Sequence, residues 1–207
     1  GQFFFEKDTS KTVDIKVALS SVSIDNAKEN LKQYGMHQDF ENVQNRIREQ
    51  WETLLSKIQI ETPIDSLKTI FYTALYHTQI APVLFSDNNG EFRLQNDSIV
   101  KTKNGKAYST LSLWDTFRAE NPLLNILHPN KVSDIIQSML VYYDEQGRLP
   151  VWTLYGNETD TMTGNHGVSV ICEAFLKGIR GFDIDKAYQA VRETMMGDIR
   201  GLAPYNE

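Results

Sequence analysis

Cysteine is nearly absent: Cys172 stands alone in 207 residues, so no internal disulfide framework holds this chain. Among Val168, Ile171 and Phe175 on a helical face, its thiol is expected to be buried and inert. The four histidines, His37, His77, His128 and His166, are widely scattered, which argues against a Cys/His metal cluster. A basic cluster is missing too, and the net charge is −6, which argues against a nucleic-acid or anionic-membrane partner. No apolar run approaches the length of a membrane span, and no basic-then-apolar leader opens the chain at Gly1. What remains is ordinary for a soluble domain, at 41% hydrophobic and 23% charged, and suits a neutral ligand such as a glycan.

Helical periods dominate. Two strand signals come first, at 3–6 and 12–20, where Val13, Ile15, Val17 and Leu19 alternate with polar or small residues. They read as the last pieces of a β domain. Ser23 then starts a helix closed by Gly35, and an amphipathic helix is expected from Phe40 to Ile58. Thr62 is expected to cap a third helix with Pro63 at its first position. The polar stretch 86–106 carries an Asp87-Asn88-Asn89-Gly90 turn and a small hairpin, Glu91–Gln95 with Ile99–Thr102. Further helices follow: one interrupted near Pro122, one capped by Asn130 and ending at Gly147, one closed at Gly181, and one started by Asp183 or Asp185. Helix after helix with alternately short and long connections is the rhythm of antiparallel helical hairpins in a ring or bundle. The chain looks cut at both ends.

Leu149 to His166 reads as a long structureless loop rich in aromatics and carboxylates, the kind of connection that is usually functional. Trp152 and Tyr155 beside Gly156-Asn157-Glu158 suit a sugar, since the rings stack on pyranose C–H faces. An apolar wall around Glu158 would desolvate it, which suits a general acid. A turn carboxylate bonded to nearby backbone N–H groups explains the same residue without chemistry. In Trp114-Asp115-Thr116-Phe117-Arg118, Asp115 either accepts sugar hydroxyls, oriented by an ion pair with Arg118, or simply caps a helix. His166, at a helix start, either donates to substrate or is structural. The residues alone stop at a helical domain that binds or cleaves a sugar.

Ordered motifs go further. Phe71 to His77, Trp114 to Arg118 with Pro122-Leu123, Gly147 to Trp152, Gly156 to Thr159, Met162 to His166 and Lys177 to Asp183 together resemble glycoside hydrolase family 92. The resemblance implies exo-acting α-mannosidases, often α-1,2-specific, that invert configuration and need calcium. The implied fold is mainly α: part of an (α/α) six-hairpin barrel at 62–207, linker helices at 23–61, and the end of an N-terminal β-sandwich at 1–22. On this resemblance Glu158 is the general acid, while Trp114, Asp115, Arg118, Trp152, Asn157 and His166 line the mannose subsite. The base and the calcium ligands are expected in later segments, with no metal ligand in this chain. The expected partner is a mannose-containing glycan of N-glycan or mannan type, and the family's habit is periplasmic or secreted. Read so, the chain is a fragment, inactive alone and prone to associate through uncovered helix faces. The alternatives are another (α/α)-barrel glycosidase, such as a trehalase or glucoamylase relative, and a non-catalytic glycan-binding module.

Overall fold

The computed structural model describes residues 15–197 apart from Asn104. These form a mainly helical array with three small antiparallel sheets. Among them no helix is long and apolar enough to cross a membrane.

The strand expected over 12–20 is not formed in its described part, 15–20. A strand needs a neighbouring backbone edge, and among the described residues none pairs with it. Side chains hold the segment instead. Lys16 Nζ donates to the carbonyls of Gly35, Met36 and Gln38, and Asn30 Nδ2 donates to Leu19 O. The apolar alternation therefore faces out, with Leu19 84% exposed. The strand expected at 3–6 lies outside the described residues.

Helix α1 (Ile24–Tyr34) starts as its sequence dictates, with Ser23 Oγ accepting from Asn26 N at 3.0 Å. Helix α2 (Phe40–Leu55) is capped by Asp39 and stops at Leu55 rather than Ile58. Helix α3 (Asp65–His77) begins later than expected. Thr62 Oγ1 accepts from Ile64 N within a turn, and Ile64, not Thr62, is the N-cap. Trp51 packs on Tyr76 with ring centroids 4.7 Å apart, tying α2 to α3.

Between α3 and the core, β1 (Val83–Leu84) pairs with β4 (Tyr108–Ser109), and β2 (Glu91–Arg93) pairs with β3 (Ile99–Lys101). The Asp87–Gly90 turn forms as read, with Gly90 N donating to Asp87 O at 2.8 Å. Buried Asp87 anchors the N-terminal segment: Ser20 Oγ, Asn26 Nδ2 and Asn30 Nδ2 all donate to its carboxylate.

The core gathers on α6 (Pro129–Gln146), where Ile135, Ile136, Met139, Leu140 and Tyr142 are all but inaccessible. The expected cap, Asn130, lies inside this helix. His128 is the N-cap and Pro129 the first residue, where its missing N–H costs nothing. Gly147 ends α6 in the left-handed region at φ 79°. The preceding interruption is real, but it falls between α4 (Leu113–Thr116) and α5 (Glu120–Leu127), so Pro122 sits in α5's first turn.

Helix α7 (His166–Leu176) closes before Gly181. Gly178 takes φ 85°, its N–H donates to Phe175 O, and Ile179 N donates to Ala174 O. This paired pattern at a left-handed glycine is what stops the helix. Helix α8 (Ile184–Met196) is capped by Asp183. Successive helices pack as neighbours, α5 on α6 and α7 on α8. Cys172 is exposed, contrary to expectation, because its face of α7 opens into an apolar groove with Phe175, Leu176 and Tyr188.

Candidate active site

The stretch 149–166 is not structureless. It folds back as a hairpin, β6 (Trp152–Leu154) with β7 (Asn157–Glu158), and β6 also pairs with β5 (Leu111–Ser112). The turn is made by Tyr155 and Gly156, both left-handed at φ 48° and 81°. Two positive φ values match the twist of a tight hairpin. A Cβ on Gly156 would lie 2.2 Å from Arg93 O, so only glycine lets the tip sit against the end of β2. The sequence misled here because Thr153 and Leu154 are too short a run to announce a strand. The sheet is completed by β5, some forty residues away in the chain.

Pairing brings the two informative motifs together. Ser112 stands opposite Trp152, and Leu111 and Glu158 both stand opposite Thr153 on either side of the sheet. Directly paired residues share a face, so Trp152 shares one with Ser112, while Glu158 shares the other with fully buried Thr153. The aromatic wall expected around Glu158 is therefore not built by Trp152, and Tyr155 is 70% exposed at the tip. Backbone surrounds the carboxyl instead. Oε1 accepts from Trp152 N at 3.1 Å, Thr159 N at 3.0 Å and Asp160 N at 3.2 Å. Oε2 accepts from Val151 N at 2.7 Å and, more distantly, from Trp152 N at 3.4 Å. Glu158 is only 6% exposed. These are the bonds of a turn carboxylate, and they also fix the carboxyl in one place.

Asp115 does not cap α4; it lies within the helix, and Ser112 Oγ donates to its carboxylate. Arg118 does not pair with Asp115 either. Its guanidinium lies over the rings of Trp114 and Phe117, 5.4 and 4.8 Å from their centroids. Phe117 in turn stacks on His166, with centroids 4.2 Å apart and planes 14° from parallel. Trp114, Arg118, Phe117 and His166 thus form one continuous stack. Desolvation, and then the Arg118 charge, lower the His166 pKa, so its ring is neutral at neutral pH. Gly164 makes room for that ring, since a Cβ there would come within 2.5 Å of Nε2.

The structure thus joins Trp114, Arg118 and His166 through the stack, and Asp115 to Trp152 through Ser112. Asn157 is separate: its Nδ2 turns back to Tyr155 O at the tip. Sequence reasoning singled out neither Phe117 nor Ser112. Phe117 lies within the Trp-Asp motif, but only the fold reveals its stacking partner. Among the described residues no group of three or more His, Cys, Asp or Glu is placed to hold a metal ion. Both Glu158 oxygens accept backbone N–H groups, and Asp115 Oδ2 accepts from Ser112 Oγ.

The chain is mainly helical, with successive helices packed around a buried centre and a small three-stranded sheet that carries Glu158. The profile of the Glycosyl hydrolase family 92 catalytic domain matches residues 26–207, and the chain belongs to that family. Among solved structures, the family 92 α-mannosidase BT3965 of Bacteroides thetaiotaomicron is 37% identical, with a TM-score of 0.82 over 86% of this chain and 24% of that one. That enzyme has also been solved with mannoimidazole. The inverting mannosidase BT2199 of Bacteroides thetaiotaomicron VPI-5482 is 29% identical, with a TM-score of 0.76 over 83% of this chain and 23% of that one. The chain thus spans about a quarter of the length of these relatives. No curated protein matches it.

Proposed function

We propose that this chain is part of an exo-α-mannosidase that removes terminal, α-1,2-linked mannose from glycans with inversion, and that Glu158 is its general acid. The carrying observation is the position of Glu158: a buried carboxyl fixed by backbone N–H groups, one strand from β5, which leads directly into the Trp114–Arg118 motif. Oε1 takes three N–H groups and Oε2 takes two, from Val151 N at 2.7 Å and Trp152 N at 3.4 Å; in this reading Oε2, with the fewer donors, carries the proton. The proton passes from Oε2 to the glycosidic oxygen as that bond breaks, while a second carboxylate across the ring draws a proton from the attacking water. That base, and the oxygens that would hold calcium, come in this reading from segments beyond the described residues. Calcium, when bound, would supply a hard positive charge for sugar hydroxyls. Trp114 and Trp152 offer rings to the sugar, and Asp115 and neutral His166 offer polar atoms to its hydroxyls.

In the same reading, residues 1–22 close a β-sandwich, 23–61 are linker helices and 62–207 begin an (α/α) barrel. The chain by itself is inactive. Its substrate is an N-glycan or mannan, met in the periplasm or outside the cell.

The test is mannose release from α-1,2-mannobiose by the complete polypeptide carrying this chain, with and without EDTA, beside Glu158→Gln. Calcium-dependent release of β-mannose, lowered about 100- to 10,000-fold by the substitution, is the expected result. Release of glucose from a glucoside, indifferent to EDTA, would instead indicate a trehalase-like enzyme. Glycan binding without any release would make the chain a binding module.

A further inference from the structure

We propose that Arg148 is a positioning residue for Glu158, acting through Asp160; the proposal rests on Glu158 being the general acid. Arg148 directly follows Gly147, where α6 ends. Its neighbour Leu149 is tied to α8 by the bond from Leu149 N to Thr194 Oγ1 at 2.9 Å. The base of the Arg148 side chain is thus set by the two helices that carry the core. Its side chain is 5% exposed, and Nη2 reaches Asp160 Oδ1 at 2.9 Å. Asp160 is held in the left-handed region at φ 51°, a conformation that few side chains other than Asp and Asn adopt readily. In that conformation its backbone N–H points to Glu158 Oε1, as does the N–H of Thr159 just before it. The chain of contacts runs from core helix to guanidinium, to Asp160, to two of the N–H groups that fix the acid.

A second observation favours a role beyond packing. Arg148 Nε is buried without a hydrogen-bond partner, a desolvation cost that a simple surface anchor would not carry. Asp160, by contrast, is half exposed, with its side chain at 53%. Burying a guanidinium to restrain one exposed aspartate makes little sense for stability. It makes sense if what must be fixed is the backbone beneath that aspartate.

The experiment compares two substrates in the complete polypeptide. α-1,2-Mannobiose has a poor leaving group and needs the acid, whereas 2,4-dinitrophenyl α-mannoside has a good one and does not. Glu158→Gln should therefore lose activity on the disaccharide far more than on the aryl mannoside. Arg148→Met and Asp160→Ala should show the same selective loss, about 10- to 100-fold in kcat on mannobiose, with KM little changed. Combining them should add little to either. Asp160→Asn keeps both the acceptor oxygen and tolerance of the left-handed region, and should stay near wild type. If Arg148→Met or Asp160→Ala lowers both substrates equally, or neither, while Glu158→Gln stays selective, the positioning role is wrong and the acid assignment stands. If Glu158→Gln is itself unselective, the acid assignment fails and this proposal with it. Should Arg148→Met not fold, Asp160→Ala against Asp160→Asn decides the matter alone.

Discussion

Helices α2 and α6 are both amphipathic by sequence, yet the fold uses them in opposite ways. Ten of the 18 residues of α6 are buried, whereas α2, at 16 residues, buries none. In α2 the periodic positions that promised a core face, Phe40 and Ile47, lie open. Periodicity announces that a helix has an apolar face; it does not supply the surface that covers it. Around α6 that surface comes from α5, α8 and β4 together. The N-terminal helices have chiefly each other, through Trp51 against Tyr76 and Tyr72 Oη donating to Ile58 O. The molecule is therefore expected to be held by its second half.

The strongest test of that contrast is a core truncation. Leu140→Ala removes a side chain with no accessible surface, and should cost about 2–5 kcal/mol in urea-unfolding stability. Hydrogen exchange should agree, with α6 amides opening only with the whole domain and α1–α3 amides opening earlier. Near the site, Glu158→Gln should also destabilise, by about 1–3 kcal/mol. Either orientation of the new amide turns an NH₂ toward a backbone N–H, at Val151 on one side or at Trp152, Thr159 and Asp160 on the other. A lower Tm for that variant, measured beside its activity, checks the carboxylate's holding role independently of its chemistry.

The joint between the halves is sensitive to acid. Lys57 Nζ donates to Leu127 O at 2.7 Å and meets His128 Nδ1 at 3.0 Å. A lysine can only donate, so Nδ1 must be the bare, accepting nitrogen of a neutral ring. Burial, and then the charges of Lys57 and Lys131, push the His128 pKa down to about 4 from the usual 6.5. Below pH 6.5 the unfolded chain binds a proton that the folded chain refuses, so stability falls as pH drops from about 6.5 to about 4. His128 is partly open to solvent, which moderates the effect. Urea midpoints at pH 7 and pH 4.5 should differ more in the parent than in His128→Gln, and that narrowing is the readout.

Which features were legible follows from how local their causes are. Ser23, Gly147 and Asp183 act on backbone groups within a turn, and each ends or starts a helix where the sequence placed it. The Asp87–Gly90 turn and the β2–β3 hairpin are equally local. The site was legible only in parts. The Trp114–Arg118 and Gly156–Glu158 motifs were visible, but their meeting across β5 and β6 depends on a pairing between residues some forty apart. The Phe117–His166 stack is a long-range contact of the same kind. Arg118 illustrates the error that results: spacing suggested an ion pair with Asp115, whereas two aromatic faces compete for the guanidinium and win. Cys172 failed for the same reason as α2, an apolar face read as covered.

The smallest expected effect bears most directly on that cover. Ile47→Ala in α2 changes a side chain already 43% exposed and should shift stability by less than about 0.5 kcal/mol. A matched substitution at a covered position, Ile135→Ala, should cost several times as much. The pair is informative because both residues are isoleucines in helices of similar length, so helix propensity cancels and only packing differs. If Ile47→Ala in the complete polypeptide proves as costly as Ile135→Ala, then α2 is packed there against a surface that these residues do not provide. In that case the apolar stripe of α2 is a true core face completed from elsewhere, and the imbalance between the two halves belongs to this stretch of chain rather than to the working protein.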